Sequence, residues 1–161
     1  MEARKSARNQ FWPALQDISM YALRIEEDGM REPHWHSSTA EMGYVREDEA
    51  RVSVMDPDGS VDTGHILPQA MGLLFFFPVA YPQQIEVIGD KEIHFLIFFN
   101  QPRPGDVGYR TSATALLRGV LAATFGVLQS QLSIFPTTTK YPLLVGRVNK
   151  RDRKLQMSWV L

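Results

Sequence analysis

The 161-residue chain contains no cysteine, which excludes disulfide bonds, cysteine-ligated zinc and a thiol nucleophile. It also lacks an excess of charge of either sign, because 17 Lys and Arg stand against 18 Asp and Glu. A protein that binds nucleic acid needs a basic face, and a formal net charge of -1 gives no general basic field. Nucleic acid is therefore not a predicted partner.

Long apolar runs are also missing. The longest, "MGLLFFFPVAYP" (71–82), is too short to span a membrane and contains prolines. The N-terminal "MEARKSARNQF" is polar, and the apolar stretch of a secretory signal does not follow it. We therefore expect no membrane partner and a cytoplasmic location. The length and the 44% apolar content predict a single domain, 1–161, with its own core.

Short segments with high β propensity, separated by turns, fill the region from about 18 to 100 and predict a sandwich or barrel. They are "MYALRI", "EMGYV", "ARVSVM", "GLLFFF", "QQIEVIG" and "EIHFLIFF". The segment "MDPDGS" (55–60) predicts a tight turn, and "GDK" (89–91) is typical of a hairpin between the last two segments. Five residues are predicted to be core or pocket lining: Phe75, Phe77, Phe95, Ile97 and Phe99.

Beyond Asn100 the pattern changes to a loop and a helical appendix, over about 101–135. "QPRPGDVG" predicts a surface loop, and "SATALLRGVLAATFGV" has helical periodicity with Ser112 as the N-cap and Gly126 as the stop. "LQSQLSIF" predicts one more short helix. The C-terminal tail, 136–161, contains a basic stretch, Lys150 to Lys154, which we expect to be solvated.

The segment "REPHWHSSTAE" contains two histidines separated by one residue. On a strand, His34 and His36 point to the same side and Trp35 to the other, so two imidazoles could bind one metal ion. A carboxylate from Glu41 would complete a two-histidine, one-carboxylate set. Glu41 has the wrong parity for that face, which predicts a bulge or turn within "SSTA". The alternative is a strand with two half-exposed histidines and a solvated Glu41.

The same segment, "GMREPHWHSSTAE", resembles the first motif of the cupins, and it is most similar to their oxalate decarboxylase and germin-like branch. The likeness runs from about Gln10 to the C-terminal helices. It implies a mainly β fold, a cupin jelly-roll β-barrel with short C-terminal helices. It also implies a divalent metal, most often manganese, with iron, nickel and zinc as alternatives. His34, His36 and Glu41 would be ligands.

The resemblance also implies a substrate role for Arg31, which matches the family arginine that contacts the substrate carboxylate. A planar fork of donors suits that task. The alternative is an ordinary surface arginine. Asp48 stands where the first motif ends in glycine, a mild change because aspartate tolerates left-handed backbone geometry.

The second cupin motif resembles "GLLFFFPVAYPQ" with three departures. Gly72 and Pro78 are retained. Leu73 replaces an aspartate, Ala80 replaces a glycine, and Gln83 replaces the histidine that would be the fourth metal ligand.

A glutamine side chain donates to a transition metal less well than imidazole, which leaves three interpretations. Gln83 could coordinate weakly or through water, leaving a three-ligand site. The metal could be lost and a polar pocket kept. His94 on the next predicted strand could take its place, although an exposed strand histidine is its more ordinary state. We favour the first interpretation and assign Gln83 to the metal site.

Related decarboxylases carry an acidic residue in a mobile loop after the last barrel strand, where it donates or accepts a proton. Asp106 matches that position, which makes it a candidate catalytic residue with Arg31. The alternative is a turn-forming aspartate between Gly105 and Gly108.

The resemblance therefore implies a manganese- or iron-dependent decarboxylase or oxidase, including a dioxygenase, that acts on a small carboxylate. The alternative is a non-catalytic cupin that binds a small ligand at a degraded metal site. A sugar isomerase or epimerase, which can work without metal, fits "MREPHWH" less well. We also expect a homodimer, because two-fold dimers dominate among oligomers.

Overall fold

The computed structural model describes residues 5–66, 74–135 and 144–146. Within these ranges the chain forms eleven strands, two α-helices and one 3₁₀ helix. The strands are β1 Lys5–Ala7, β2 Ser19–Ile25, β3 Gly29–Trp35, β4 Glu41–Glu47, β5 Ala50–Met55, β6 Val61–Ile66, β7 Leu74–Phe77, β8 Gln83–Val87, β9 Ile93–Phe99, β10 Val107–Gly108 and β11 Leu144–Gly146. The helices are α1 Tyr109–Ala115, α2 Arg118–Phe125 and the 3₁₀ helix Gln129–Ile134.

The strands form two antiparallel sheets. The first has the order β1-β2-β9-β4-β7, and the second has the order β10-β3-β8-β5-β6 with β11 also paired to β3. Chain neighbours such as β3 and β4 lie in different sheets, as in a jelly roll. The predicted fold class, a mainly β cupin jelly roll with few helices, is confirmed.

Alternation along the strands builds the core between the sheets. In β2 and β9 every second side chain is buried, because strand residues point to opposite faces in turn. The five residues predicted as core or lining all belong to this cluster, four of them buried and Phe75 partly so. Phe75 lies against Gly43, its cross-strand partner, where a Cβ would come within 1.8 Å of the ring. Only glycine leaves room for that ring.

The turn predicted at "MDPDGS" is confirmed, and the hairpin predicted at "GDK" is wrong. "MDPDGS" connects the paired strands β5 and β6, with Gly59 at φ 87° and Asp56 N donating to Ser60 O at 2.9 Å. "GDK" connects β8 and β9, which lie in different sheets. Both strands have a buried face, and each pairs within its own sheet. The turn residues alone could not show whether β8 and β9 pair with each other or lie in different sheets.

The helical appendix departs from the sequence prediction at its start. The periodic segment is two helices, α1 and α2, and the N-cap of α1 is Gly108. Ser112 lies inside α1, where its hydroxyl donates to Gly108 O, so the predicted cap is wrong. Gly126 ends α2 in left-handed geometry as predicted. None of the helices in the described ranges is both long and apolar enough to cross a membrane. The predicted basic stretch, Lys150–Lys154, lies outside the described residues.

Candidate metal centre

A bend between the sheets brings Glu41 to the two histidines. β3 ends at Trp35, residues 37–40 form the bend, and Glu41 opens β4 in the opposite sheet. Asn100 holds the bend, because its Oδ1 accepts from Thr39 Oγ1 at 2.6 Å and from Ala40 N at 3.0 Å. The turn predicted within "SSTA" is therefore present, and it removes the parity mismatch.

A bulge in β3 brings Arg31 to the same side as the histidines. Arg31 pairs with Ile85, but His34 pairs with Gln83, so one extra residue lies in β3 between them. Pro33 lies in this irregular segment and has no register partner in the strands that pair with β3, as suits a residue without an N–H. Directly paired residues share a face, so Arg31, like Ile85, points into the barrel.

The three predicted ligands lie together in the interior. His34, His36 and Glu41 are 1%, 4% and 2% exposed. Each offers one donor atom, and these atoms all lie within 4.8 Å of one another. His36 Nε2 is 3.0 Å from Glu41 Oε2. The alternative of half-exposed histidines and a solvated glutamate does not describe this arrangement.

Backbone carbonyls fix the orientation of both imidazoles. His34 Nδ1 donates to Glu32 O at 2.8 Å, and His36 Nδ1 donates to Gly105 O at 2.9 Å. A carbonyl oxygen only accepts, so each Nδ1 carries a proton, and an imidazole that is neutral in this tautomer has its lone pair on Nε2. Burial, followed by the positive charge of Arg31 and then His36, lowers the pKa of His34 well below 6.5. His34 is therefore neutral near pH 7, as metal ligation requires.

The donor set fits a cation. His36 Nε2 and Glu41 Oε2 approach as two acceptors when the imidazole is neutral, which calls for a proton or a positive ion between them. Among the described residues, the buried Oε1 of Glu41 has no hydrogen-bond partner. A buried carboxylate oxygen without a donor is costly unless an ion neutralises it. Two imidazoles and one carboxylate are a ligand set that leaves coordination positions open.

Gln83 lies at the fourth side of this cluster, 3% exposed and paired with His34 across β3 and β8. Its Nε2 donates to Glu41 Oε2 at 2.8 Å and lies 3.4 Å from His34 Nε2.

The turn before Gln83 is tied to the site, because Ala80 N donates to His36 O at 2.8 Å. Ala80 and Asp48 replace the motif glycines, and they adopt left-handed φ values of 68° and 67°. Both positions therefore adopt the left-handed geometry that favours glycine.

Arg31 and Asp106, the two candidate catalytic residues, are in contact. Arg31 Nη2 lies 2.5 Å from Asp106 Oδ2, with side-chain exposures of 4% and 22%. Gly105, the preceding residue, accepts from His36, so two consecutive residues tie this loop to the site. Asp106 is thus more than a turn residue, because its carboxylate neutralises a buried arginine.

The structure also settles the position of His94. It pairs with Arg24 on the outer face of β9, while its neighbours Ile93 and Phe95 point inward and are fully buried. His94 therefore does not replace the missing histidine. Gly72 and Leu73 of the second motif lie outside the described residues.

Sequence reasoning missed several supporting residues. Glu32 is 4% exposed; its backbone carbonyl orients His34, and burial raises the pKa of its own carboxyl group. Asn100 holds the bend, and the carbonyl of Gly105 orients His36. The available signal was Pro33, because a proline inside a strand pattern marks a bulge or an edge. No comparable signal marks the backbone carbonyls.

A family model described as Cupin matches residues 9–133, so this chain belongs to the cupin family. The curated proteins and solved structures that it resembles are oxalate decarboxylases, which supports that branch of the family. The oxalate decarboxylase OxdC of Bacillus subtilis (strain 168) is 28% identical over 137 residues, which are 80% of this chain and 33% of that protein. An oxalate decarboxylase of Arthroderma benhamiae is 29% identical over 97 residues, which are 60% of this chain and 22% of that protein. The chain thus spans a third or less of the length of these curated relatives.

Solved structures give the same fold. Bacillus subtilis oxalate decarboxylase at pH 4.6 has a TM-score of 0.81 and 23% identity, with 91% of this chain and 37% of that chain covered. A second structure of that enzyme, from a study of its Mn(II) centres, has a TM-score of 0.80 and 24% identity with the same coverage. Similarity at this level of identity shows the shared fold alone.

Proposed function

We propose that the chain binds one divalent metal ion through His34, His36 and Glu41, and that it acts on a small carboxylate. The observation that carries this proposal is the convergence of three buried donor atoms within 4.8 Å. Manganese is the proposed ion because a solved relative contains Mn(II) centres, and iron, nickel and zinc are alternatives. Gln83 lines the fourth side of the site.

The bound ion would supply a Lewis acid that polarises the substrate carboxylate and, as manganese or iron, a redox centre. The residues around it would do the rest. Arg31 offers a planar fork of donors that fits a carboxylate. Asp106 holds that fork in the free protein, so an entering acid would compete with Asp106 for Arg31. Once released, the Asp106 carboxylate can hold a proton next to the substrate.

Decarboxylation is the reaction we favour, with oxidation as the second. Two curated relatives are oxalate decarboxylases, and oxalate is a small acid of the kind that Arg31 could orient. Oxalate and one proton would give formate and carbon dioxide. The chain spans only a third or less of those relatives, so their activity is here a proposal.

A specific observation favours one alternative function, a cupin that binds a small ligand without catalysis. An amide stands at the fourth side of the site, where the family pattern has imidazole. The two functions differ in whether the protein retains a metal ion. A barrel that only binds would take up the carboxylate equally well without metal.

Reconstitution tests the proposal. The purified chain is loaded with Mn²⁺, freed of excess metal, analysed for metal content and assayed for formate from oxalate. We expect one ion per chain and formate production that depends on it, with both lost in His34→Ala and kept in the outward-facing control His94→Ala. Failure of the wild-type chain to retain any ion, when loaded in parallel with manganese, iron, nickel or zinc, would overturn the enzyme proposal. Metal-independent binding of the acid would then favour the alternative.

The homodimer has its own structural support, in the outer face of the first sheet. Two adjacent cross-strand rows of that face are nearly all apolar: Met20, Phe98, Met42 and Phe76 in one, and Ala22, Leu96, Tyr44 and Leu74 in the other. Phe76 is 63% exposed and Leu74 is 55% exposed. The outward residues of β5 and β8 in the second sheet are polar except for Met55, and Arg51 is bonded to Glu86. Antiparallel sheets that face water normally alternate apolar and polar side chains.

We propose that this apolar face packs against the same face of a second copy of the chain. A two-fold interface uses one patch twice, and flat apolar sheet faces stack well. The next row carries the charged Arg24 and Glu47, which suits the polar rim of an interface. Sedimentation should give a dimer that Phe76→Glu converts to a monomer, while Thr63→Glu on the second sheet does not. A monomeric wild type would overturn this proposal.

The cytoplasmic location stays a prediction.

A further inference from the structure

Gln83 is the residue at which this chain departs most sharply from the family pattern. Its side chain is buried, and its amide nitrogen lies 2.8 Å from Glu41 Oε2 and 3.4 Å from His34 Nε2. These are atoms of the same groups that would bind the ion. The amide therefore lies where it contacts two of the three ligands at once.

Hydrogen-bond chemistry fixes which end of the amide faces the ligands. A carboxylate oxygen only accepts, so Gln83 must present its NH₂ group, and not its oxygen, to Glu41. His34 Nδ1 already donates to Glu32 O, so His34 Nε2 is an acceptor as well. The two amide hydrogens thus face the two lone pairs that a cation would need. An NH₂ group has no lone pair to offer the ion.

We infer that the Gln83 amide and the metal ion compete for the same two acceptor atoms, His34 Nε2 and Glu41 Oε2. This inference rests on the proposed function, because it concerns the same ion. In the metal-free protein, Gln83 satisfies two buried acceptors and positions the Glu41 carboxylate. Metal binding breaks these bonds and turns or displaces the amide. Gln83 therefore stabilises the metal-free site and lowers metal affinity, which makes the ion more readily exchanged.

The substitution Gln83→Leu tests this inference, because leucine keeps the bulk and removes the donors. Two buried acceptors would lose their partner, so the metal-free variant should melt about 3–10 °C lower than wild type. The same variant should bind Mn²⁺ about 10-fold more tightly, since the competing donor is gone. The two effects have opposite signs, which a general loss of packing would not produce.

Gln84→Leu is the matched control on the same strand, because Gln84 lies one residue away on the opposite face of β8 and is half-buried. It should leave metal affinity unchanged. The measurements are melting by circular dichroism without metal and Mn²⁺ titration followed by electron paramagnetic resonance.

The outcomes separate this inference from the proposed function. If wild type binds Mn²⁺ and Gln83→Leu binds it more weakly, Gln83 is a ligand through its oxygen and the inference is wrong, while the proposed function stands. An unchanged melting temperature for metal-free Gln83→Leu also overturns it. If only Gln83→Leu binds metal, the inference holds and the proposed metal enzyme fails for wild type. If neither binds, both fail.

Discussion

The two sides of the candidate metal centre differ in chemistry, although backbone contacts position the residues of both. On the side of β3 and β4, His34, His36 and Glu41 converge, and each imidazole is oriented by a backbone carbonyl. On the side of β8, the turn is tied to His36 through Ala80 N, and the register places Gln83 opposite His34. The first side presents lone pairs to an ion, whereas the second presents an NH₂ group.

This difference teaches that position and chemistry are set separately. Strand pairing fixes where residue 83 lies, whatever its side chain is. The side chain then decides whether that position donates a lone pair or a proton. Three donor groups suffice for a metal site in the two-histidine, one-carboxylate class, so the proposed site needs no fourth ligand from residue 83.

Removing a ligand from the first side should have the largest effect. His34→Ala deletes one imidazole, and we expect metal affinity to fall by more than about 100-fold, since even residues that only support ligands change it by 10–100-fold. His34 lies outside the apolar cluster that packs the two sheets together, so the variant should stay folded. Calorimetric titration with Mn²⁺ measures the change. A variant that binds metal like wild type would place the ion elsewhere, and one that unfolds would make the site structural.

Restoring an imidazole on the second side should act in the opposite direction. Gln83→His removes a competing donor and adds a ligand, so metal affinity should rise by about 10- to 100-fold. The gain should exceed that of Gln83→Leu, which removes only the donor. Unchanged affinity in Gln83→His would mean that residue 83 does not face the ion.

Arg31 and Asp106 should have opposite effects on carboxylate binding. Arg31→Lys loses the bidentate fork, and binding of oxalate to the metal-loaded protein should weaken by about 10-fold or more. Asp106→Asn removes the competitor for Arg31, so oxalate should bind several-fold more tightly. Calorimetry measures both without requiring turnover. Weaker oxalate binding by Asp106→Asn would show that Asp106 helps to hold the substrate.

The last expected effect concerns the pH dependence of stability and involves neither metal nor carboxylate binding. The pKa of His34 is lowered well below 6.5 in the folded chain, so the unfolded state takes up this proton first as the pH falls. The contribution of His34 to the free energy of unfolding is fully present above about pH 6.5. It is lost as the pH falls below that value, by at most about 1.4 kcal/mol per pH unit. Urea unfolding of the metal-free chain between pH 5 and 8 measures the slope. His34→Gln should flatten it, and an identical slope would contradict a neutral buried His34.

Local patterns predicted much of this structure. Alternation in "MYALRI" and "EIHFLIFF" gave two core strands, and the spacing of His34 and His36 gave half of the site. These features depend on near neighbours in the chain. The parity of Glu41 even predicted the bend that now connects the sheets.

What failed or was missed depends on distant partners. The residues of the "GDK" turn could not show that β9 pairs with β2 and β4, because that choice is made by the packing of whole sheets. The contact between Arg31 and Asp106 joins residues 75 positions apart. It also depends on a bulge that slides β3 by one residue. The direction of the Gln83 amide follows from what Glu41 can accept, which only the assembled site shows.

The most direct test of the central claim is a crystal structure of the Mn²⁺-loaded chain with anomalous data at the manganese edge. We predict a single strong peak at coordination distance from His34 Nε2, His36 Nε2 and Glu41, with the Gln83 amide nitrogen no longer bonded to Glu41. An empty centre in crystals of the loaded protein, or a peak at other residues, would contradict the proposed metal site.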